Sequence, residues 1–468
     1  MLPPDRAFRS ALPDIVFPAV AGGQAAELLA LNRQFDDSQW WPLERMAAAQ
    51  FRQLGSLVAH AAREVPFYAR RLRDAGIDNG MPLTAEVWQR LPILTRRDVQ
   101  RQGTALHAAA VPPSHGATAE TATGGSTGIP VRVRKTALDN LMWSAIHVRE
   151  ELWHREDPLG DIVRLRRVPS GANAAQTAAI WSADGLVIAD WGPPIAGLWR
   201  TGRMLVLEST QAVEVQADFI LRHGAPYIFT NPSNLRLLLA YFRDRGVVPA
   251  GLLAVWTISE AVDDSLRALC RAVLGTRIVH NYSAAETGYM ALQCPSCDHL
   301  HIQSEVCRVE VVDAEGAPVA PGETGRVIVT PLHNFAMPLL RYEIGDQAEL
   351  GPPCSCGRGL PVLTRIAGRI LDVLTLPDGR RRRTDFNHYR LSGIQAVHEY
   401  QIIQRSRTRI EIMLVTARPL TAEETATVQA IMAAEFTEGF TFDISEVASI
   451  KRTEAGKLRP FLSDLPPD

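Results

Sequence analysis

The residues best suited to bind an anion lie in one short segment, residues 121–130, with the sequence TATGGSTGIP. It holds three glycines and four hydroxyl side chains within ten positions. Glycine lets backbone N–H groups approach an anion closely, and hydroxyl groups add further donors. The segment lacks the Gly-Lys-Ser/Thr ending of a Walker loop. Taken alone, this composition is more typical of a surface turn than of a phosphate loop, so both interpretations stay open.

A second cluster of reactive residues consists of cysteines. Four of the six cysteines fall in two tight pairs, Cys294 with Cys297 and Cys354 with Cys356, and His299 and His301 lie close to the first pair. Thiolates in paired short loops suit tetrahedral Zn²⁺. We expect a structural zinc site with four ligands among Cys294, Cys297, His301, Cys354 and Cys356. The alternative is a set of buried free thiols. We expect Cys270 and Cys307 to be core or surface thiols.

Composition excludes several classes of function. The chain has 468 residues, of which 46% are hydrophobic and 21% charged, and its net charge is -2. This balance gives no electrostatic reason to expect nucleic acid or an anionic membrane as a partner. The first apolar stretch is interrupted by Pro13, Asp14 and Pro18, and no apolar run reaches the ~18 residues of a membrane span. We therefore expect a cytoplasmic protein.

The elements that would position these residues can be read from periodicity. Apolar residues at helical spacing predict helices in 42–75, and Thr95 is a predicted N-cap for a helix through Gln100. From about residue 205 to 280, short apolar strands alternate with helices, which indicates a parallel α/β region. After Cys307 the pattern changes to antiparallel strands, and beyond Gly368 it predicts a small α+β domain.

Five motifs together resemble the adenylate-forming superfamily of acyl-CoA synthetases, nonribosomal adenylation domains and luciferase. The glycine loop comes first, and the others follow in the same order as in that superfamily. They are NYSAAE at 281–286, RYEIGD at 341–346, GRILD at 368–372 and KRTEAGK at 451–457. Within the superfamily the chain is most similar to phenylacetate–CoA ligases, through VPFY at 65–68, LPILT at 91–95, AMPLLRY at 336–342 and CGR at 356–358.

This resemblance implies an α/β fold with a large N-terminal domain of mixed sheets flanked by helices, residues 1–368. A small mobile α+β domain, residues 369–468, would follow it. The resemblance implies ATP-dependent activation of a carboxylic acid, which we expect to be aromatic, as an acyl-adenylate with pyrophosphate release. Transfer of the acyl group to CoA would follow. The implied partners are therefore the acid, ATP, Mg²⁺ and CoA, and relatives suggest a homodimer.

The resemblance also implies a role for individual residues. Gly125, Ser126, Thr127 and Gly128 would cradle the β- and γ-phosphates, and Glu286 would hold Mg²⁺. The nucleoside would be bound by Ser259, Glu260, Ala261, Tyr282, Asp346 and Arg369. Lys457 is the mobile lysine of the small domain, which would bridge the acid carboxylate and the α-phosphate. The tryptophans between Trp143 and Trp199 either line the acid pocket or belong to the core.

The chain departs from the family pattern at several positions. Ile129 stands where lysine is usual in the glycine loop, and Leu371 stands where an acidic hinge residue is usual. Ser283 and Ala285 replace the usual glycine and threonine near Tyr282. These changes keep open a second hypothesis, in which the acyl group passes to an amine or a carrier protein instead of CoA. A third hypothesis, a nucleotide-binding scaffold without turnover, is disfavoured because Glu286 and Lys457 are both present.

Overall fold

The structure is a computed structural model that describes residues 8–77, 82–122, 131–154, 157–166, 172–209, 211–369, 373–378, 381–383, 391, 394, 396–436, 439–451 and 458–465. The chain divides into two compact units. The first comprises Met1–Ile162, Val187–Leu205 and Val279–Ala367, and the second Val163–Leu186, Val206–Ile278 and Gly368–Asp468. The division into domains 1–368 and 369–468 stays a prediction. Among the described residues, no helix is long and apolar enough to cross a membrane.

The helices predicted in 42–75 are confirmed in the first unit. The helices of this unit are α1 Gln24–Ser38, α2 Leu43–Glu64, α3 Pro66–Asp74, α4 Ala85–Gln89, α5 Arg96–Gln102, α6 Ala137–His154 and α8 Ile195–Leu198. Thr95 caps α5 as predicted, because its hydroxyl accepts from the Asp98 N–H while the Asp98 carboxylate accepts from the Thr95 N–H. This capping box fixes the first turn of α5, where Arg96 lies.

Strands after residue 277 form the sheet of the first unit. They are β8 Arg277–Ala284, β9 Gly288–Gln293, β10 Leu300–Ile302, β11 Cys307–Val312, β12 Thr324–Pro331, β13 Tyr342–Gly351 and β14 Val362–Arg369, in the spatial order β11-β12-β13-β14-β10-β9-β8. The pairs β11–β12, β12–β13, β14–β10, β10–β9 and β9–β8 are antiparallel. The predicted antiparallel region is thus confirmed. A separate hairpin joins β1 Thr118–Ala122 to β2 Arg132–Thr136.

The second unit contains the predicted alternation of strands and helices. Its elements include α7 Ala174–Trp181, α9 Val213–His223, β6 Tyr227–Thr230, α10 Pro232–Arg245, β7 Ala254–Thr257 and α11 Asp264–Leu274. Strands β6 and β7 pair in parallel, as this alternation requires. The neighbouring strands are β3 Ile162–Leu165, β4 Leu186–Ile188 and β5 Met204–Leu207, in the order β7-β6-β3-β5-β4.

The end of the chain forms a small α+β substructure, as predicted. Its elements are β15 Val373–Thr375, β16 Arg381–Arg383, β17 Val397–Gln404, β18 Arg409–Thr416, α12 Ala422–Phe436, β19 Thr441–Glu446 and β20 Phe461–Ser463. Strands β17 to β20 form a four-stranded sheet in the order β19-β18-β17-β20. Strand residues Ile402, Ile410 and Ile412 and helix residues Val428 and Met432 share its core.

Three of the family-like motifs meet in the core of the first unit. The Tyr68 hydroxyl donates to the Pro338 carbonyl at 2.9 Å and accepts from the Leu340 N–H at 3.0 Å. Leu94 pairs with Tyr342, so that the LPILT segment runs beside the start of β13. Motifs far apart in the chain therefore set the position of β13, which carries Asp346.

Candidate functional site

Tyr282 and Asp346, two of the predicted nucleoside-binding residues, are in direct contact. Tyr282 lies on β8 and is buried, and its hydroxyl donates to Asp346 Oδ2 at 2.8 Å. Asp346 lies on β13, a strand that is not adjacent to β8 in the sheet. A carboxylate has about four acceptor sites, so this bond leaves Asp346 able to accept from further hydroxyl groups.

Glu286, the predicted magnesium ligand, is buried beside a cation that sequence reasoning missed. Glu286 follows β8, and its Oε1 lies 3.5 Å from Arg96 Nη1. Arg96 also contacts the side chain of Tyr342, and burial raises the pKa of the Tyr342 hydroxyl, with the Glu286 charge acting in the same direction. The Leu94–Tyr342 bridge brings Arg96 to this place. No pattern around Arg96 in the sequence reports that long-range pairing.

The predicted adenine-lining segment follows β7 in the second unit. Ser259 has a positive φ of 74°, which is unusual for a residue with a Cβ and is often found at binding sites. The Glu260 carboxylate accepts from the Ser233 N–H at 2.8 Å and from the Ser233 hydroxyl at 3.1 Å, at the N-terminus of α10. Ala261 is exposed. The segment therefore combines a strained backbone at Ser259 with a carboxylate that is already engaged.

The remaining predicted nucleotide contacts cannot be placed. Gly125, Ser126, Thr127, Gly128 and Lys457 lie outside the described residues, as do Ile129 and Leu371. Arg369 ends β14, and only its backbone is described.

The five predicted zinc ligands lie together at one end of the first unit's sheet. Cys294 follows β9, His301 lies on β10, and Cys354 and Cys356 lie between β13 and β14. The donor atoms of Cys294, His301, Cys354 and Cys356 all lie within 4.8 Å of one another. Cys297 belongs to a second group with His299 and Cys354, and its Sγ lies 3.6 Å from Cys354 Sγ. Proximity thus favours His301 over Cys297 as the fourth ligand.

The spacing of these donors fits a tetrahedral ion. Zn–S bonds of ~2.3 Å imply S···S edges of about 3.8 Å, and a Zn–N bond of ~2.05 Å implies S···N edges of about 3.6 Å. Cys294 Sγ lies 3.9 Å from Cys354 Sγ, and Cys356 Sγ lies 3.3 Å from His301 Nε2. Burial lowers the pKa of His301 to about 4, so its imidazole is neutral near pH 7, as a ligand must be. His301 Nδ1 faces the Leu360 carbonyl at 3.4 Å, which leaves Nε2 on the cluster side.

Comparison with known proteins finds curated relatives that share one name. No family model matches the chain. Over 372 residues it is 28% identical to the phenylacetate–coenzyme A ligase of Thermus thermophilus, covering 78% of this chain and 79% of that protein. Over 352 residues it is 25% identical to the enzyme of the same name from Escherichia coli, covering 74% and 76%. The chain is thus similar to phenylacetate–CoA ligases over about three quarters of its length.

Solved structures support the fold of the chain. It superposes on a crystal structure of 2-hydroxyisobutyryl-CoA ligase, in the postadenylation state with its acyl-AMP, with a TM-score of 0.70. Sequence identity is 19%, and the match covers 91% of each chain. The same ligase in its thioesterification state, with acyl-AMP and CoA, gives a TM-score of 0.59. The α/β fold expected from the motifs is confirmed by these matches.

Proposed function

We propose that the chain activates an aromatic carboxylic acid with ATP, releases pyrophosphate and transfers the acyl group to CoA as a thioester. The observation that carries this proposal is the Tyr282–Asp346 hydrogen bond. Glu286 follows four residues after Tyr282, between β8 and β9. Two strands and the turn after β8 thus hold an aromatic side chain, an acceptor for ribose hydroxyls and a carboxylate for a divalent cation. The name of the relatives given above, phenylacetate–coenzyme A ligase, describes this type of reaction.

In the first step an oxygen of the acid carboxylate attacks the α-phosphorus of ATP and pyrophosphate leaves. In the second step the CoA sulfur attacks the acyl carbon and AMP leaves. Tyr282 would stack on adenine, and Asp346 would accept from the ribose hydroxyls. Arg96 lies beside Glu286 and would help to stabilise the negative charge that builds up on the departing pyrophosphate. Glu286 offers the hard oxygen ligand that Mg²⁺ prefers, and Mg²⁺ when bound supplies charge neutralisation on the phosphates.

A pyrophosphate-release screen over aromatic acids, run with and without CoA, tests this function. We expect release with at least one arylacetic or benzoic acid, and a CoA thioester in the product when CoA is present. If no acid releases pyrophosphate, the enzymatic function is wrong. Release without a thioester, detected by mass spectrometry, would reject CoA as the acceptor. That outcome would favour an amine or a carrier protein, the alternative that Ile129 and Leu371 keep open.

We also propose that Cys294, His301, Cys354 and Cys356 hold one structural zinc ion. The protein purified without chelator is then expected to contain about one zinc per chain by elemental analysis. Cys354→Ser removes one of the four proposed ligands, so this variant should lose most of the zinc. Without the ion, the remaining buried thiols and imidazole have no common partner, and the thermal midpoint should fall by roughly 5–10 °C.

Cys307→Ser is the matched control for this prediction. Cys307 is also a fully buried thiol of the first unit, but its Sγ lies near the carbonyls of Tyr289, Met290 and Gln303 and not in the cluster. This variant should keep its zinc. An absence of zinc in the wild-type protein, or equal zinc loss in both variants, would contradict the proposed ligand set.

A further inference from the structure

A small cavity lies in the first unit beside the Glu286 connection, and it is part polar and part aromatic. Its volume is about 30 Å³, which is room for roughly two water-sized groups. Lys135 on β2, Asp139 and Trp143 on α6, Thr287 and Tyr289 around the start of β9, and His333 line it. Thr287 directly follows Glu286 in the chain. The cavity is therefore adjacent to the proposed site of acid activation.

The polar side of the cavity has unsatisfied hydrogen-bonding capacity. Within the part of the chain that the structure describes, His333 Nδ1 and Thr287 Oγ1 are buried and have no hydrogen-bond partner. Buried polar atoms in folded proteins nearly always have one, so an exception requires an explanation such as a ligand. Burial lowers the pKa of His333 to about 4, and the imidazole is therefore neutral near pH 7.

Lys135 brings a cation to the same cavity. Its Nζ lies 5.5 Å from the centre of the Trp143 ring, over the ring face. Asp139 is a nearby counter-charge, and its carboxylate accepts from the N–H of Thr136 at 3.2 Å and from the Thr136 hydroxyl at 3.3 Å. Lys135 and Asp139 therefore roughly balance each other in charge. Lys135 keeps donors that can face the cavity.

The aromatic side of the cavity is held in a fixed orientation. The rings of Trp143 and Tyr289 lie 4.7 Å apart at an interplanar angle of 48°. The Tyr289 hydroxyl lies 3.1 Å from His147 Nδ1. His147 lies 3.9 Å from Glu150, which accepts in turn from Asn281 at 3.0 Å. This network keeps the Tyr289 ring from rotating away. The Tyr289 ring therefore offers a preformed surface for an aromatic ring of a substrate.

We propose that this cavity recognises a hydroxyl substituent on the aromatic ring of the acid, with the oxygen accepting from Lys135 and the proton donated to His333. The inference rests on the proposed function and names its substrate class. A hydroxyl group both accepts and donates, as this pair of groups requires. A second carboxylate would face Asp139, an ammonium group would face Lys135, and a methyl group would leave His333 and Thr287 unsatisfied.

The ring itself would lie along Trp143 and Tyr289. Met142 also lines the cavity, and its flexible unbranched side chain can move to admit the ring. Gly288 has a φ of +87°, and a Cβ there would lie 3.8 Å from the Trp143 ring. The glycine therefore serves the backbone turn that places Thr287 and Tyr289 on the cavity wall.

The test compares phenylacetic acid with its 3-hydroxy and 4-hydroxy derivatives in two ways. Isothermal titration calorimetry measures binding, and pyrophosphate release measures kcat/KM. One hydroxylated acid should exceed phenylacetic acid by about 10–100-fold in both, the factor expected of a hydrogen bond to a charged donor. Lys135→Met should reduce that preference to within about threefold. Arg132→Met, which also replaces a cation with methionine but at an exposed position of the same strand, should retain it.

The two readouts separate this inference from the proposed function. Equal binding and equal kcat/KM for all three acids in the wild-type protein would overturn the inference, while pyrophosphate release would still support acid activation. An undiminished preference in Lys135→Met would also overturn it. A binding preference that depends on Lys135, without pyrophosphate release from any acid, would support the cavity assignment and reject the enzymatic function.

Discussion

Replacing Glu286 with glutamine is expected to lower the rate of acyl-adenylate formation by about 10²–10³-fold, the usual cost of removing one preorganised electrostatic contact. Glutamine keeps the shape of the buried side chain but removes the charge that would hold Mg²⁺. The apparent Mg²⁺ requirement should rise in the same variant. Pyrophosphate release measured over a range of Mg²⁺ concentrations checks both effects.

A control for Glu286 is needed because its replacement also removes the partner carboxylate of the partly buried Arg96. Glu305 makes a shorter and more buried pair with Arg149, at 2.7 Å, within the same unit. Breaking the Arg149–Glu305 pair should cost about 3–5 kcal/mol of stability, and breaking the longer, partly exposed Arg96–Glu286 pair should cost less. Glu305→Gln should lower the thermal midpoint but keep the wild-type Mg²⁺ dependence. If both variants lose activity in proportion to stability alone, Glu286 has no role in catalysis.

Lys457→Ala is expected to lose adenylation by about 10²–10³-fold while still binding ATP. The proposed reason is that this lysine bridges the acid carboxylate and the α-phosphate only during the chemical step, so its charge acts on the transition state and not on nucleotide binding. Single-turnover pyrophosphate release measures the first quantity, and calorimetric titration with ATP measures the second.

Lys451 provides the comparison for Lys457. It is an exposed lysine at the start of the same segment, KRTEAGK. Lys451→Ala should adenylate at the wild-type rate. Full adenylation activity in Lys457→Ala, or an equal loss in both variants, would remove Lys457 from the mechanism.

Local patterns predicted most of the elements that surround the site. The helical spacing of 42–75 corresponds to α2 and α3, and the alternation after residue 205 corresponds to β6, α10, β7 and α11. These predictions succeed because amphipathic periodicity and capping depend on neighbouring residues only. The capping box at Thr95 is one example, since Thr95 and Asp98 contain the whole interaction.

Contacts between distant segments could not be predicted in the same way. The place of Arg96 beside Glu286 depends on the Leu94–Tyr342 bridge, which joins residues 248 positions apart. The choice between His301 and Cys297 depends on how β9, β10 and β14 align, because only that register sets the distances between donor atoms. Periodicity carries no information on either pairing.

The sequence by itself determined the α/β class, the ordered motifs that resemble those of the adenylate-forming superfamily, and the residue types available for nucleotide and zinc. Tertiary structure alone decided which of these residues meet. It joined Tyr282 to Asp346, placed Arg96 against Glu286, and gathered Lys135, Thr287 and His333 around one cavity. The physical reason is that residue type limits which interactions are possible, whereas strand pairing and packing fix the distances at which they act.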